Sequence, residues 1–231
     1  MWEEGSSGFN NVYVSAVTES EQGVPVPIAS IYGIPGTTDI AIDGNGNAVA
    51  LWSEVVGSYC HTYACAYTVS EGWGAAVRLD GLTFSSLDPA LAVDQAGNFY
   101  AAWAQAAGAG LSDIYCTVFR PASGWQSPQQ VGTHGMARYP QLAAGPDGKV
   151  CCAWQQYDTD TAYRGDATVY GNYFNAAKGG WGTQQPLKTV IGSADAPAVS
   201  VDSSGNATVI WAQTMSSGST SGYGIFSSRC N

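Results

Sequence analysis

The hydrophobic and polar positions of this chain alternate in short runs typical of β-strands, and these runs recur along the whole sequence. One run in each repeat ends at a tryptophan, as in AVALW, FYAAW, VCCAW and ATVIW. The five tryptophans of this kind lie 50, 51, 51 and 57 residues apart, and they are Trp2, Trp52, Trp103, Trp154 and Trp211. No segment has the period of an amphipathic helix. The pattern therefore predicts an all-β repeat protein.

Each repeat contains the signals of four short strands joined by tight turns. A first strand of small residues, such as PALAVD at 89–94, runs into a turn such as DQAGN, and the tryptophan-bearing strand follows. A third strand, a Gly-Trp turn and a fourth strand complete the repeat. Glycine occupies one place in all four turns after the first strands, where a hairpin needs a positive φ, at Gly46, Gly97, Gly148 and Gly205. The repeats therefore predict antiparallel hairpins.

A single four-stranded sheet cannot bury both of its faces, whereas sheets stacked around an axis cover one another. We therefore expect an all-β fold, a β-propeller of four-stranded antiparallel blades, with about five repeat units and an incomplete blade at the termini. A five-bladed ring with an irregular seam, a four-bladed ring with a surplus strand and a piece of a longer array all fit the strand count. One domain is expected over 1–231, with repeat units at approximately 1–36, 37–87, 88–138, 139–195 and 196–231.

The sequence also resembles a known class of repeats. PALAVDQAGNFYAAWAQ, followed by DIYCTVFRPASGWQSPQQVG, resembles the Trp-containing propeller repeats of large bacterial secreted and surface proteins. The order of strand, Asp-turn-Gly and strand is similar to the blades of NHL-type propellers. This resemblance covers nearly the whole chain, and it implies an architecture together with binding, adhesion or scaffolding. Because propellers host many unrelated functions, the resemblance alone does not assign an activity.

Composition excludes several classes of partner. The chain has 18 acidic and 8 basic residues and a net charge of −10, so it lacks the basic surface that nucleic acids and anionic membranes require. No apolar run reaches the roughly 20 residues of a membrane span. The first residues, MWEEGSSGFN, do not read as a signal peptide, so any export signal is expected to lie outside this sequence. The aromatic, glycine-rich and acidic composition favours an extracellular or cell-surface location.

The histidines and cysteines give no pattern of a metal site, and no cofactor is expected. The two histidines, His61 and His134, are far apart and are interpreted as ordinary loop residues. The six cysteines contain no CxxC pair, and buried free thiols are the default interpretation, with oxidation of Cys60 or Cys230 left open. The DGNGN turn at 43–47 alternates oxygen ligands as calcium loops do, but it lacks their later glycine and closing acid. A simple hairpin turn is the preferred interpretation.

An extra segment in the fourth repeat lies between its second and third strands, and it provides the candidate binding residues. Long loops on a rigid scaffold are common binding sites, and this one includes an Arg-Gly-Asp tripeptide. The expected ligand-binding residues are Tyr157, Asp158, Asp160, Tyr163, Arg164 and Asp166. No catalytic residue is expected, because the turns do not match the Asp-box of sialidases and the arginines do not cluster in the sequence.

These observations lead to three functional hypotheses. The main one is a non-enzymatic extracellular binding or adhesion propeller that recognises a carbohydrate or a surface protein through its loop face. The alternative is a structural, self-assembling subunit, a dimer or a filament, whose incomplete terminal blade is completed by a neighbouring copy. The third is a degenerate sialidase-like glycosidase. The main hypothesis predicts that the protein is not an enzyme, that it does not bind nucleic acid and that it does not insert into a membrane.

Overall fold

The computed structural model describes residues 2–6, 9–21, 23–31, 33–81, 83–133, 135–158, 166–188, 191–217 and 220–230. These residues form β-strands, turns and two short 3₁₀ helices at Pro146–Gly148 and Ala176–Lys178. No α-helix occurs in these ranges, and within them no helix is long and apolar enough to cross a membrane. The all-β prediction is confirmed.

The strands follow one another in five groups along the chain. The first group contains β1 (Trp2–Ser6), β2 (Phe9–Val14) and β3 (Val26–Ile31). The second contains β4 (Ile34–Ile42), β5 (Ala48–Val56), β6 (Tyr59–Thr68), β7 (Gly72–Trp73) and β8 (Val77–Arg78). The third contains β9 (Ser86–Val93), β10 (Phe99–Gly108), β11 (Leu111–Arg120), β12 (Gly124–Trp125) and β13 (Gln129–Gly132). The fourth contains β14 (Gly135–Ala144), β15 (Lys149–Asp158), β16 (Thr168–Asn175), β17 (Gly180–Trp181) and β18 (Gln185–Pro186). The fifth contains β19 (Ala194–Val201), β20 (Ala207–Ser217) and β21 (Thr220–Cys230).

Within each group the first three strands pair antiparallel in chain order, as the hairpin pattern predicts. In the second, third and fourth groups the two short strands that follow both pair with the third strand. The first strands of the last four groups, β4, β9, β14 and β19, also lie next to one another in that order. We call these four the inner strands, because they surround the axis of the propeller. The number of blades and the way in which the ring closes stay predictions.

Four hydrophobic clusters hold successive groups together. They lie between the first and second, second and third, third and fourth, and fourth and fifth groups. Each contains a repeat tryptophan of the second strand, and Trp103 and Trp154 are fully buried. Each of these indoles stacks on an aromatic ring of the third strand at a centroid distance of 6.1–6.3 Å. The interpretation of the tryptophans as packing residues is confirmed for the four whose side chains are described.

The Asp-x-x-Gly-Asn turns after the inner strands are self-contained hydrogen-bonded units. In the turn at 94–98, the Asp94 carboxylate accepts hydrogen bonds from the backbone N–H of Ala96 and Asn98, both at 2.9 Å. It also accepts one from Asn98 Nδ2 at 2.8 Å, while Gly97 adopts a φ of +78°. Asp43 and Asp202 make the same set of bonds. The hairpin interpretation of DGNGN is confirmed, since its carboxylate already binds the turn itself.

Candidate active site

The antiparallel strands give the propeller two different faces. We call the end that carries the hairpins 43–47, 94–98, 145–148 and 202–206 the turn face. The opposite end is the loop face, where the inner strands begin and the second strands lead into the third strands. Loops on one face of a rigid ring of strands can place side chains from several groups around one axis. The loop face can therefore assemble a functional site from several groups.

The predicted ligand-binding residues fall only partly within the described structure. Tyr157 and Asp158 end β15, where they pair in register with Met136 and Gly135 at the start of β14. Asp166 is exposed, and its Oδ2 accepts a hydrogen bond of 3.0 Å from the backbone N–H of Gly192. Asp160, Tyr163 and Arg164 lie outside the described residues. The ligand-binding role of all six stays a prediction.

The structure brings together a charged cluster on the inner strands that the sequence analysis missed. Asp88 of β9 and Arg138 of β14 form an ion pair, with 3.2 Å between Asp88 Oδ2 and Arg138 Nε. The same carboxylate accepts a hydrogen bond of 3.3 Å from the backbone N–H of Tyr139. The Arg138 guanidinium lies over the ring of Tyr139, 5.8 Å from its centroid, and 47% of Tyr139 is exposed. A cation, a carboxylate and an accessible aromatic ring therefore meet at the loop-face end of the axis.

A second carboxyl, that of Asp39, lies on the neighbouring inner strand β4. Its Oδ2 accepts a hydrogen bond from the backbone N–H of Leu91 in β9, and its Oδ1 accepts one from Ile40, both at 2.8 Å. Burial raises the pKa of Asp39 above its usual value, and this effect outweighs the two backbone hydrogen bonds that lower it. Asp39 therefore keeps its proton to higher pH than an ordinary aspartate.

The inner strands contain an unusual backbone conformation at one repeated place. Asp88, Tyr139 and Ala196 have φ values of +55°, +53° and +49°, and each precedes a proline. The register with the second strand shifts at each of these places, so each is a β-bulge. A positive φ in a residue other than glycine costs about 1–3 kcal/mol and persists only where the surroundings enforce it. The repeat thus maintains a local strain at the loop-face end of three inner strands.

A buried polar network lies between the second and third groups, and it corrects the prediction that His61 is a loop residue. His61 belongs to β6 and is buried, with its Nδ1 2.8 Å from Asp80 Oδ2. Asp80 is also buried, pairs with Arg78 and accepts a hydrogen bond of 2.9 Å from the Ser86 hydroxyl. The other histidine, His134, lies outside the described residues. Asp80 can be buried because His61, Arg78 and Ser86 all contact its carboxylate.

Three of the described arginines are paired separately and do not converge on one site as the arginines that bind the carboxylate of a sialic acid do. Arg78, Arg138 and Arg229 each pair with a different aspartate, namely Asp80, Asp88 and Asp202. Within the part of the chain that the structure describes, these guanidinium groups are therefore held apart. A sialidase-type site would need several of them to converge on one carboxylate.

No family model and no curated protein matches the sequence. Among solved structures, the Penicillium chrysogenum α-L-arabinanase is similar with a TM-score of 0.60 and 15% identity, over 95% of this chain and 67% of that one. An ulvan lyase of family PL25 gives a TM-score of 0.59 and 14% identity, over 99% of this chain and 68% of that one. The endo-arabinase of Bacteroides thetaiotaomicron gives 0.53 and 12%, over 96% and 87%.

These similarities confirm the β-propeller prediction, because the neighbours are β-propellers, and at such identities they show the fold alone. The chain spans about two thirds of the length of the arabinanase and of the ulvan lyase. A specific relation to NHL-type or other Trp-containing repeats is not shown by any of them.

The comparison contradicts two functional predictions. The main hypothesis, a non-enzymatic binding or adhesion propeller, is wrong by this comparison, and so is the prediction that the protein is not an enzyme. The neighbours with a stated activity are carbohydrate-cleaving enzymes: an arabinanase, an endo-arabinase and a lyase of a polysaccharide. A carbohydrate partner gains support, whereas surface-protein partners and self-association gain none. Of the three hypotheses, the third, a degenerate sialidase-like glycosidase, lies nearest to the stated activities of these neighbours.

Proposed function

We propose that this protein is an extracellular carbohydrate-active enzyme that cleaves a glycan beside the inner strands that surround its axis. The observation that carries this proposal is the placement of Asp39 and Asp88 on adjacent inner strands in two different environments. Asp39 is desolvated, and its pKa is raised. Asp88 lies in an ion pair with Arg138. Two carboxyl groups with contrasting environments are the usual means of combining acid and base catalysis at one glycosidic bond.

The roles follow from these environments. Asp39, in its protonated form, donates its proton to the glycosidic oxygen as the bond from that oxygen to the sugar carbon breaks. A water molecule forms the new bond to that carbon and gives its proton to the Asp88 carboxylate. Direct attack by water inverts the configuration at the sugar carbon, whereas retention requires a covalent intermediate on one of the two carboxylates. Arg138 positions Asp88, and the exposed ring of Tyr139 offers a surface on which a sugar can stack.

Cleavage by variants with conservative substitutions tests the proposal. We expect the wild-type protein to release reducing ends from at least one member of a panel of plant and algal polysaccharides that includes arabinan and ulvan. Asp39→Asn and Asp88→Asn should each lower that rate at least about 100-fold, because each removes one proton-transfer group. Asp195→Asn is the matched control, since Asp195 is an exposed carboxylate of the inner strand β19.

Thermal unfolding of the same variants separates catalysis from structure, because both carboxylates also brace the next inner strand. A loss of rate with an unchanged melting temperature supports the proposed roles. The proposal is overturned if the wild-type protein cleaves none of the polysaccharides, or if Asp39→Asn and Asp88→Asn cleave as fast as Asp195→Asn.

A further inference from the structure

The few basic residues of this acidic chain are not spread evenly over the structure. The chain has only three lysines, and two of them, Lys149 and Lys178, line one cavity of about 440 Å³ between the fourth and fifth groups. Tyr173 and Trp181 line the same cavity. Lys149 directly follows the hairpin turn 145–148, so this cavity opens on the turn face. Its lining does not include the proposed catalytic carboxyls.

The walls of this cavity are built by specific contacts. A Cβ placed at Gly205 would lie 2.7 Å from Lys149 Nζ, so the lysine side chain lies directly against the glycine of the fifth group's turn. The Tyr173 hydroxyl donates a hydrogen bond to the Gly205 carbonyl and fixes the other side. Asn175 Oδ1 accepts hydrogen bonds from the N–H groups of Ala177 and Lys178, at 3.0 and 3.3 Å, and caps the short helix that carries Lys178.

A third cation lies on the other side of Trp181. Trp181 also lines a cavity of about 180 Å³ between the third and fourth groups, and Arg120 lies in the lining of that cavity. The indole is held in place by Phe174, whose ring centroid is 5.5 Å away. The two cavities therefore meet at one aromatic ring with a basic side chain on each side. We call Arg120, Lys149, Tyr173, Lys178 and Trp181 together the basic groove.

The cations of the basic groove differ from the other described arginines in their partners. Arg78, Arg138 and Arg229 each form a salt bridge with an aspartate. Arg120, Lys149 and Lys178 form no salt bridge with any residue that the structure describes. The nearby carboxylates of Asp94 and Asp202 are engaged by their own turns, and Asp202 also pairs with Arg229. The groove is thus locally positive on a protein with a net charge of −10.

We propose that the basic groove binds an acidic polysaccharide, a glycan whose sugars carry carboxylate or sulfate groups. The Trp181 indole offers a flat apolar surface for a sugar ring, and the cations on both sides match anionic substituents of successive sugars. A neutral glycan would leave three cations without partners. A nucleic acid would bring its dense phosphates against the −10 charge of the whole molecule. The groove is a binding site separate from Asp39 and Asp88, so it adds a substrate anchor to the proposed enzyme.

Affinity electrophoresis with and without charge-removing substitutions tests this proposal. The probes are polygalacturonate as a carboxylated glycan, a sulfated galactan, neutral dextran and a single-stranded DNA oligonucleotide. We expect one or both acidic glycans to retard the wild-type protein. A comparison of retardation by polygalacturonate and by the sulfated galactan then shows whether carboxylate or sulfate groups are preferred. The double variant K149Q/K178Q should weaken this binding at least 10-fold, and 0.5 M NaCl should weaken it as well.

Lys188→Gln is the matched control, because it removes the third lysine, whose ammonium binds the carbonyls of Ala167 and Gly192 away from the groove. It should bind as the wild type does, and melting curves should show that all variants are folded. K149Q/K178Q keeps both axial carboxyls, so retained cleavage with lost binding distinguishes this site from the catalytic one. Absence of binding to both acidic glycans, equal retardation by dextran or DNA, or a folded double variant that binds normally would each overturn the proposal.

Discussion

At the scale of single residues, the repeat tryptophans show one exception that has a stability consequence. In the third, fourth and fifth groups the indole Nε1 donates a hydrogen bond of 3.0 Å to a glutamine two residues later. In the second group this place is Glu54, whose Oε1 accepts a hydrogen bond from the Gly33 N–H at 3.2 Å. Trp52 Nε1 is buried and has no hydrogen-bond partner among the described residues. A buried donor without an acceptor costs free energy.

The Glu54→Gln substitution should therefore stabilise the protein by about 1 kcal/mol. In the other groups the glutamine Nε2 donates to a backbone carbonyl and so turns the Oε1 towards the indole, whereas a carboxylate has no N–H with which to make that bond. The reciprocal variant Gln105→Glu should destabilise the protein, since a carboxylate cannot donate to the carbonyl of Phe84, which Gln105 Nε2 binds at 2.8 Å. Urea unfolding followed by tryptophan fluorescence measures both changes. A Glu54→Gln variant that unfolds at a lower urea concentration than the wild type would contradict the predicted hydrogen bond to Trp52 Nε1.

At the scale of elements, the Asp-x-x-Gly-Asn turns determine how the inner strand joins the second strand. For Asp43, burial raises the pKa, but hydrogen bonds from Asn47 and Asn45 more than compensate, so the pKa is lowered overall. The folded state therefore binds this proton less tightly than the unfolded chain. Such a group contributes stability above its unfolded pKa, and that contribution is lost as the pH falls through its folded pKa.

Asp43→Ala should accordingly lower the free energy of unfolding at pH 7 by about 2 kcal/mol, because it removes an anionic acceptor from several N–H groups. The difference from the wild type should shrink as the pH is lowered towards 2, where the wild-type carboxyl is protonated as well. Urea unfolding at a series of pH values measures this trend. Gly44→Ala is the control, since a Cβ at Gly44 meets nothing within 4 Å. A destabilisation by Asp43→Ala that is equal at pH 7 and pH 2 would refute the electrostatic explanation.

At the scale of the whole molecule, the four cores between successive groups make each group depend on its neighbours. Cysteines report on three of these cores: Cys65 lies in the first, Cys116 and Cys152 lie in the third, and Cys151 lies in the fourth. All are free and buried, which confirms the thiol interpretation for the described cysteines, and Cys60 is free as well. Burial raises the pKa of Cys65 to about 11 and raises that of Cys116 too.

Thiol labelling with an alkylating reagent at pH 8 should therefore be slow in the folded protein, because reaction requires the exposed thiolate. If the propeller unfolds as one cooperative unit, pulses of label at increasing urea concentration should modify Cys65, Cys116 and Cys151 with one common midpoint. Mass spectrometry of peptides measures each site. Labelling of Cys65 at a clearly lower urea concentration than Cys151 would show that the first core opens independently.

The edges of the groups illustrate where prediction from the sequence was weaker. The fourth strand that the repeat predicts after each Gly-Trp turn corresponds to AAVRL at 75–79 and PLKTV at 186–190. In the first of these segments the structure has the two-residue strand Val77–Arg78, and in the described part of the second, 186–188, it has only Pro186, which ends the strand Gln185–Pro186. An outermost strand has one pairing partner instead of two, and Pro186 has no N–H to donate. Hydrophobic pattern alone does not reveal such an incomplete pairing.

The sequence by itself determined the repeat, the antiparallel hairpins, the packing tryptophans and the turns, because each of these depends on bonds and periodicities within a few residues of chain. Only the tertiary structure decided which distant residues meet. Asp39 meets Leu91, Asp88 meets Arg138, and Lys149 crosses Gly205. These partners lie in different groups, about one repeat apart. Their contact depends on how the blades are arranged around the axis, and no local pattern encodes that arrangement.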